Sequence, residues 1–271
     1  MGLIAPQQMR EVLFDPRRLV PFILAFAGYA FAGVTVPLLL LFTGRWWLPK
    51  TIDVGPHLGT GPSLVIDVVL LALFGLQHSG MARTSVKAFI TRRVPQALER
   101  TVYVVMTSLV VWLLILGWRP LPVRIWSANG VVGAALDAGY WLGFVLVYAA
   151  ALLLNHFHLL GVSQAYRRYV TRASDATVDP LRVHGPYRLV RHPLMTGLLL
   201  CFWCARDCTA GHLLFAGGMT GYILLGTVLE ERDLVARFGA AYSSYAARVP
   251  AFFPLRPLGI RVTTRRAPGR I

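Results

Sequence analysis

Residues 19–42 read LVPFILAFAGYAFAGVTVPLLLLF, 24 residues without one charged side chain. As a helix this run is ~36 Å long, enough to cross a hydrocarbon core of ~30 Å. Trp46 and Trp47 follow it, where the aromatic belt of a membrane boundary belongs. The run is too long for the apolar core of a cleavable signal peptide. It therefore reads as a first membrane span, and the rest of the chain repeats the pattern.

Further apolar runs cover 63–81, 101–118 and 131–160, the last longer than a bilayer needs. That fourth run is expected to project beyond the membrane and carry Asn155, His156, His158 and Gln164 with it. Two shorter runs, 193–204 and 212–229, flank Ala205-Arg206-Asp207 and read as a helical hairpin. The first is short for a full span, so it either crosses or re-enters. Residues 83–100 read as a basic inner loop and 119–130 as an outer turn. Residues 230–254 read as a helix-compatible tail, and 255–271, rich in Pro and Arg, as disordered. The fold expected is all-α: a single polytopic membrane bundle of five to six segments, with a C-terminal hairpin and a tail helix.

Composition agrees. Hydrophobic residues make up 56% of the 271, and mean hydropathy is +0.58. Charged residues are 14%, against about 25% in soluble domains. The net charge of +15 suggests nucleic acid, but the arginines track the gaps between apolar runs. Twenty-two of the 27 Lys and Arg lie before 19, in 83–100, in 161–192 or after 229. The other five occupy the alternate gaps, which is the positive-inside pattern of a bacterial cytoplasmic membrane protein with both termini inside. The basic face meets anionic lipid, and no nucleic acid partner is implied.

The densest chemistry is Gly185 to Gly197, GPYRLVRHPLMTG. Pro193 suits the first turn of a helix, which places Arg191 and His192 at a helix N-terminus that favours an anion. Glu230 and Glu231, with Tyr242, Tyr245 and Arg248 beyond, lie at the far end of the same hairpin. The hairpin returns to the side it left, so the two clusters are expected to meet. Arginine pairs with a carboxylate, glutamate with an ammonium, and a tyrosine face with a sulfonium. The bland reading of the same residues is a solvated charged helix paired to a basic loop.

Other chemistries find no support. Cys201, Cys204 and Cys208 lack the partners of a zinc site and read as packing residues. His156 and His158 are two apart and point apart on a helix, so no metal site is expected. There is no dinucleotide fingerprint and no serine nucleophile elbow. Asp67 and Asp137, inside spans, read as interhelical partners.

Taken together, GPYRLVRHPLMTG, LEERDL (229–234) and FGAAYSSYAARVPAFFP (238–254) resemble the C-terminal signature of membrane methyltransferases, the isoprenylcysteine carboxyl and phospholipid methyltransferases among them. LFGLQHSGMAR (73–83) and Asn155-His156-Phe157 through Gln164 are similar to the bacterial methanethiol S-methyltransferases, an NnrU-like group. The resemblance implies S-adenosylmethionine as methyl donor, a small thiol as acceptor and dimethyl sulfide as product. It makes 184–254 the cofactor-binding region, with Gln164, Arg191, His192, Glu230, Glu231, Tyr242 and Tyr245 toward the donor, and the polar clusters themselves add Tyr187 and Arg248. Where the family has His-Phe-Asp this chain has His156-Phe157-His158, and Ser163 replaces an expected arginine before Gln164.

Gln77 and His78, at the inner end of the second span, are candidates for the acceptor pocket. Methylation of sulfur needs thiolate, so a base is required. His78 or His158 would take the proton, and Arg191 would stabilise the anion. Two other readings stay open: a methyltransferase for a lipid or prenylated acceptor, and a non-enzymatic membrane subunit in nitrogen-oxide metabolism.

Overall fold

The computed structural model describes residues 14–172, 181 and 183–254. The expected disordered tail, 255–271, lies outside the described residues.

Among the described residues, five helices are long and apolar enough to cross a membrane: α1 (Pro16–Gly44), α2 (Thr60–Ala82), α4 (Gln96–Gly117), α5 (Gly130–Leu153) and α9 (Ala210–Phe238). Helix α1 starts where the Asp15 carboxylate accepts from the Arg17 N–H at 3.0 Å, with Pro16 in the first turn. It ends at Arg45, whose φ of 63° is left-handed. Large hydrophobics such as Val65, Leu116 and Leu142 face outward, as a lipid-embedded bundle requires.

The first limb of the C-terminal hairpin is α8 (Pro193–Trp203), only 11 residues, or ~16 Å. It crosses the bundle because it hands over to an extended stretch. That stretch joins β2 (Asp207–Thr209), which pairs antiparallel with β1 (Arg124–Ser127). Helix α8 also lies hard against α5. A Cβ on Gly143 would come within 2.6 Å of the Gly197 carbonyl oxygen, and one on Gly197 within 2.7 Å of that of Gly143. Two facing glycines thus let the backbones touch, the small-residue contact usual between membrane helices. Higher up, Gly139 meets Cys204 and Gly133 meets Arg206, so the limb reaches the ribbon. With α8, the described residues make six passes, and Pro16 and Phe238 come to the same end.

The ribbon end is tied by ion pairs. Arg45 pairs with Asp207 at 3.0 Å and Arg206 with Asp137 at 2.5 Å. The Ser127 hydroxyl donates to Asp207, which with Arg45 holds that carboxyl below the usual carboxylate range. Thr209 donates to Asp53, and Asp67 accepts from the Arg119 N–H at 2.8 Å. Asp67 and Asp137 are therefore interhelical partners. Arg45, Lys50, Arg119, Arg124 and Arg206 all sit at this end, and the remaining described basic residues at the other.

Three expectations need correction. The basic stretch 83–100 is not a loop: it holds α3 (Thr84–Thr91) and the start of α4. The fourth span does not run on to Leu160. Helix α5 stops at Leu153, and Asn155 turns left-handed at φ 62°, its side chain accepting from the His158 N–H. The chain then makes α6 (His156–Leu159), turns at Gly161 (φ 96°), and forms α7 (Val162–Ala165) and a π-helical turn, Tyr166–Thr171. These pieces fold back under the bundle, where Arg100 donates to the Leu159 carbonyl at 2.8 Å and Arg18 to that of Tyr169 at 2.9 Å. The tail is not one helix either. Helix α9 runs through both glutamates to Phe238 and breaks at Gly239 (φ 56°) before α10 (Ala240–Ala246).

Candidate active site

Two polar clusters occupy the half of the bundle away from the ribbon. The first lies at the foot of the hairpin. Gly185, at φ 60°, opens a 3₁₀ turn over Gly185–Arg188, and Pro193 begins α8. Between them the chain bends at Arg191, and the backbone N–H groups of Arg191 and His192 donate to Pro250 O (2.8 Å) and Ala251 O (3.0 Å). The segment after α10 is thereby strapped across the start of α8. Thr196 in the first turn adds a bond to the Phe252 carbonyl at 2.6 Å.

The Arg191 side chain completes this clamp. Its Nε and Nη2 both reach Glu231 Oε1 at 2.7 Å, and Nη1 donates to Ala246 O (3.0 Å) and Val249 O (2.5 Å). A guanidinium has five N–H groups, and this geometry engages four. His192 Nε2 lies 3.0 Å from the same Glu231 oxygen, and its Nδ1 is 3.6 Å from Glu230. Arg191 and Glu231 are 13% and 18% exposed, whereas the Glu230 side chain is 52% exposed. One carboxylate is thus built in and its neighbour is presented to solvent.

Tyr245 locks the strap from the other side, its hydroxyl donating to the Tyr187 carbonyl at 2.6 Å. Tyr242 is buried beside the Arg191–Glu231 pair. Burial, with the Glu231 charge next, pushes its phenol above the ordinary range, so it remains a neutral hydroxyl. Arg248 points elsewhere, donating to Ser244 O on its own turn at the surface. Gln164 and His158 belong to the folded-back connection after α5, where Gln164 Nε2 donates to His158 O at 3.1 Å.

The second cluster surrounds His78 near the end of α2. His78 Nε2 is 2.8 Å from the hydroxyl of Tyr103 on α4, and Nδ1 is 3.4 Å from Thr107 Oγ1. The imidazole stacks on Phe74 at 5.4 Å and meets the edge of Tyr222 of α9 at 6.0 Å. The Tyr222 hydroxyl is 3.1 Å from Ser79 Oγ. Gln77 donates to Met81 Sδ and, at 3.4 Å, to Thr107 Oγ1. Tyr103 and Tyr222 were not singled out from the sequence. In an apolar run a tyrosine reads as a belt or packing residue, and only the packing of α2, α4 and α9 converts these two into one site.

Among the described residues, Gln77 Oε1, Gln164 Oε1 and Thr227 Oγ1 are buried without a hydrogen-bond partner. All three lie in this half of the bundle, Thr227 on α9 between Tyr222 and Glu231. With the Glu230 carboxylate and the last Arg191 N–H, they offer acceptors and donors to a polar, zwitterionic ligand. Such a set fits the methyl donor that the sequence resemblance implies. An apolar groove of about 280 Å³ adjoins it, lined by Leu199, Trp203, Leu224 and Phe252 among others. The cavity at the ribbon end, about 190 Å³, is walled by the paired Arg45, Asp137, Arg206 and Asp207 and lies far from these clusters.

Comparison with known proteins fits this picture. The family model described as NnrU protein matches residues 68–249. The chain is 39% identical to methanethiol S-methyltransferase 2 of Bradyrhizobium diazoefficiens, over 91% of this chain and 95% of that one. It is 38% identical to the methanethiol S-methyltransferase of Mycobacterium tuberculosis, over 90% and 95%. It is 39% identical to that of Pseudomonas deceptionensis, over 83% of each. No solved structure matches the chain. The matched region runs from within α2 to the residue before Pro250 and contains the side chains of both polar clusters, and the chain belongs to the NnrU family.

Proposed function

We propose that the protein methylates a small thiol, methanethiol first among candidates, using S-adenosylmethionine and releasing dimethyl sulfide. The observation that carries this is the pairing of Arg191 and His192 with Glu230 and Glu231 at the hairpin foot, with His78 in the same half of the bundle. The relatives named methanethiol S-methyltransferase supply the acceptor class.

When bound, S-adenosylmethionine supplies a methyl group on a sulfonium. Glu230, half-exposed, takes the ammonium of its amino-acid head. The remaining Arg191 N–H would receive the carboxylate, with Tyr242 and Tyr245, both buried, packed behind that pair. Gln164, Tyr187 and His192 complete residues 184–254 and their neighbours as the donor region. Arg248, turned to its own helix, serves the surface of the tail instead.

The chain's own chemical task is on the acceptor side. A thiolate attacks far better than a thiol, so the proton must leave in place. The His78 cluster stands among Phe74, Tyr103 and Tyr222, an apolar setting that excludes water from the meeting of thiolate and sulfonium. Proximity and alignment supply most of the acceleration. His158 remains a second base candidate on the connection after α5. The basic end of the bundle faces the cytoplasm of a bacterium, where the donor is made, and the product leaves through lipid.

Calorimetry with the purified protein in detergent tests the donor half of this reading. S-adenosylmethionine is expected to bind with one site per chain and with micromolar affinity, roughly −8 kcal/mol. Heat no different from buffer dilution at millimolar donor contradicts it.

A further inference from the structure

Both nitrogens of the His78 imidazole face hydroxyl groups, each able to donate or accept. Its Nε2 and Nδ1 lie 2.8 and 3.1 Å from one atom, the Tyr103 hydroxyl oxygen, and Nδ1 also faces Thr107. Phe74 covers one ring face and Tyr222 presses on its edge. The Tyr103 hydroxyl therefore stands in front of both nitrogens. The Tyr103 hydroxyl has a second lone pair to offer. Its ring is held by the Arg100 guanidinium, 5.1 Å from the centroid, and Arg100 is itself anchored on the Leu159 carbonyl. Tyr103 and His78 are both only partly buried.

Resting on the thiol-methylating reading, we infer that Tyr103 is the group that touches the acceptor, and that His78 acts through it. The thiol S–H bond breaks as an O–H bond forms at Tyr103, while the original phenol proton passes to His78 Nε2. The thiolate sulfur then forms its bond to the methyl carbon as the carbon–sulfonium bond breaks, its electron pair leaving with the donor as a neutral thioether. The imidazolium afterwards returns its proton to water. A tyrosine suits this post because it is neutral before and after the transfer and needs no hydration shell. Thr107 Oγ1, 3.4 Å from Nδ1, can accept that nitrogen's proton, the arrangement that leaves Nε2 to accept from Tyr103.

The test is Tyr103→Phe, which keeps the ring and removes one oxygen, in the full chain in detergent. Histidine-selective ¹⁵N NMR reads the tautomer without any turnover, and His78→Asn identifies the signal. Tyr103→Phe is expected to shift the His78 Nε2 resonance and leave the other histidines unmoved. Methyl transfer to methanethiol is expected to fall about 10²–10⁴-fold, the usual worth of a proton-transfer group. With a small electron-poor thiol already ionised at neutral pH, the variant is expected to come within about tenfold of wild type. An unmoved His78 resonance, wild-type turnover of methanethiol, or an equal loss with both thiols overturns the relay. A wild-type protein that methylates neither thiol contradicts the activity itself, a separate outcome visible before any variant is made.

Discussion

Arg191→Ala is expected to release the C-terminal strap and abolish donor binding together. The guanidinium serves Glu231 and two strap carbonyls at once, at 2.5–3.0 Å. Its loss leaves Glu231, only 18% exposed, with His192 as its remaining side-chain partner among the described residues. Breaking a largely buried pair from one side costs about 3–5 kcal/mol, read as a lower melting temperature in detergent. Arg191→Lys is expected to restore little, because one ammonium cannot span a carboxylate and two carbonyls set by a planar fork. Glu231→Gln falls in the same class. Glu230→Gln is the contrast: at 52% exposure it supports no packing. It should leave melting unchanged and weaken S-adenosylmethionine by roughly tenfold to a hundredfold, the worth of one charge-assisted bond. Wild-type melting and wild-type affinity in Arg191→Ala would show that the clamp holds nothing.

His78→Asn is expected to separate acceptor chemistry from donor binding. Asparagine keeps a hydrogen-bonding group of similar size for Tyr103 and Thr107 but cannot hold a proton. Donor affinity should stay within twofold, roughly the scatter of such measurements, while turnover falls about 10²–10⁴-fold. Rate should partly recover as pH rises, because more thiolate then arrives ready-made; a simple alkanethiol ionises above the cysteine value of about 8.5, so recovery continues to rise through about pH 9. Activity unchanged from pH 6 to 9 would make His78 a packing residue. A drop in donor affinity would place it in the donor site.

The bundle was legible because membrane spans are written in runs of single residues: uncharged 19–42, tryptophans at its end, arginines sorted by gap. The pairing of Arg191 and His192 with the two glutamates was legible too, since a hairpin must return to the side it left. What the sequence hid depends on contacts between distant segments. Strands β1 and β2 are four and three residues long and pair across about 80 residues of chain, so neither shows an alternation of its own. The break at Asn155 hides inside an apolar run because left-handed geometry leaves no mark on hydropathy. The engagement of Arg191 by strap carbonyls could not be read at all, since backbone acceptors carry no residue code. Tyr103 and Tyr222 gain meaning only beside His78, which three separate helices bring about.

The central claim is a transfer of methyl from donor to small thiol, and its product can be weighed. Purified full-length protein in detergent is incubated with methanethiol and S-adenosylmethionine whose transferable methyl is deuterated, and the headspace is read by gas chromatography with mass detection. The account predicts dimethyl sulfide carrying one labelled methyl, formed in proportion to enzyme and absent with Arg191→Ala. Headspace without labelled sulfide, with the label recovered instead in the lipid fraction of added membranes, would contradict it.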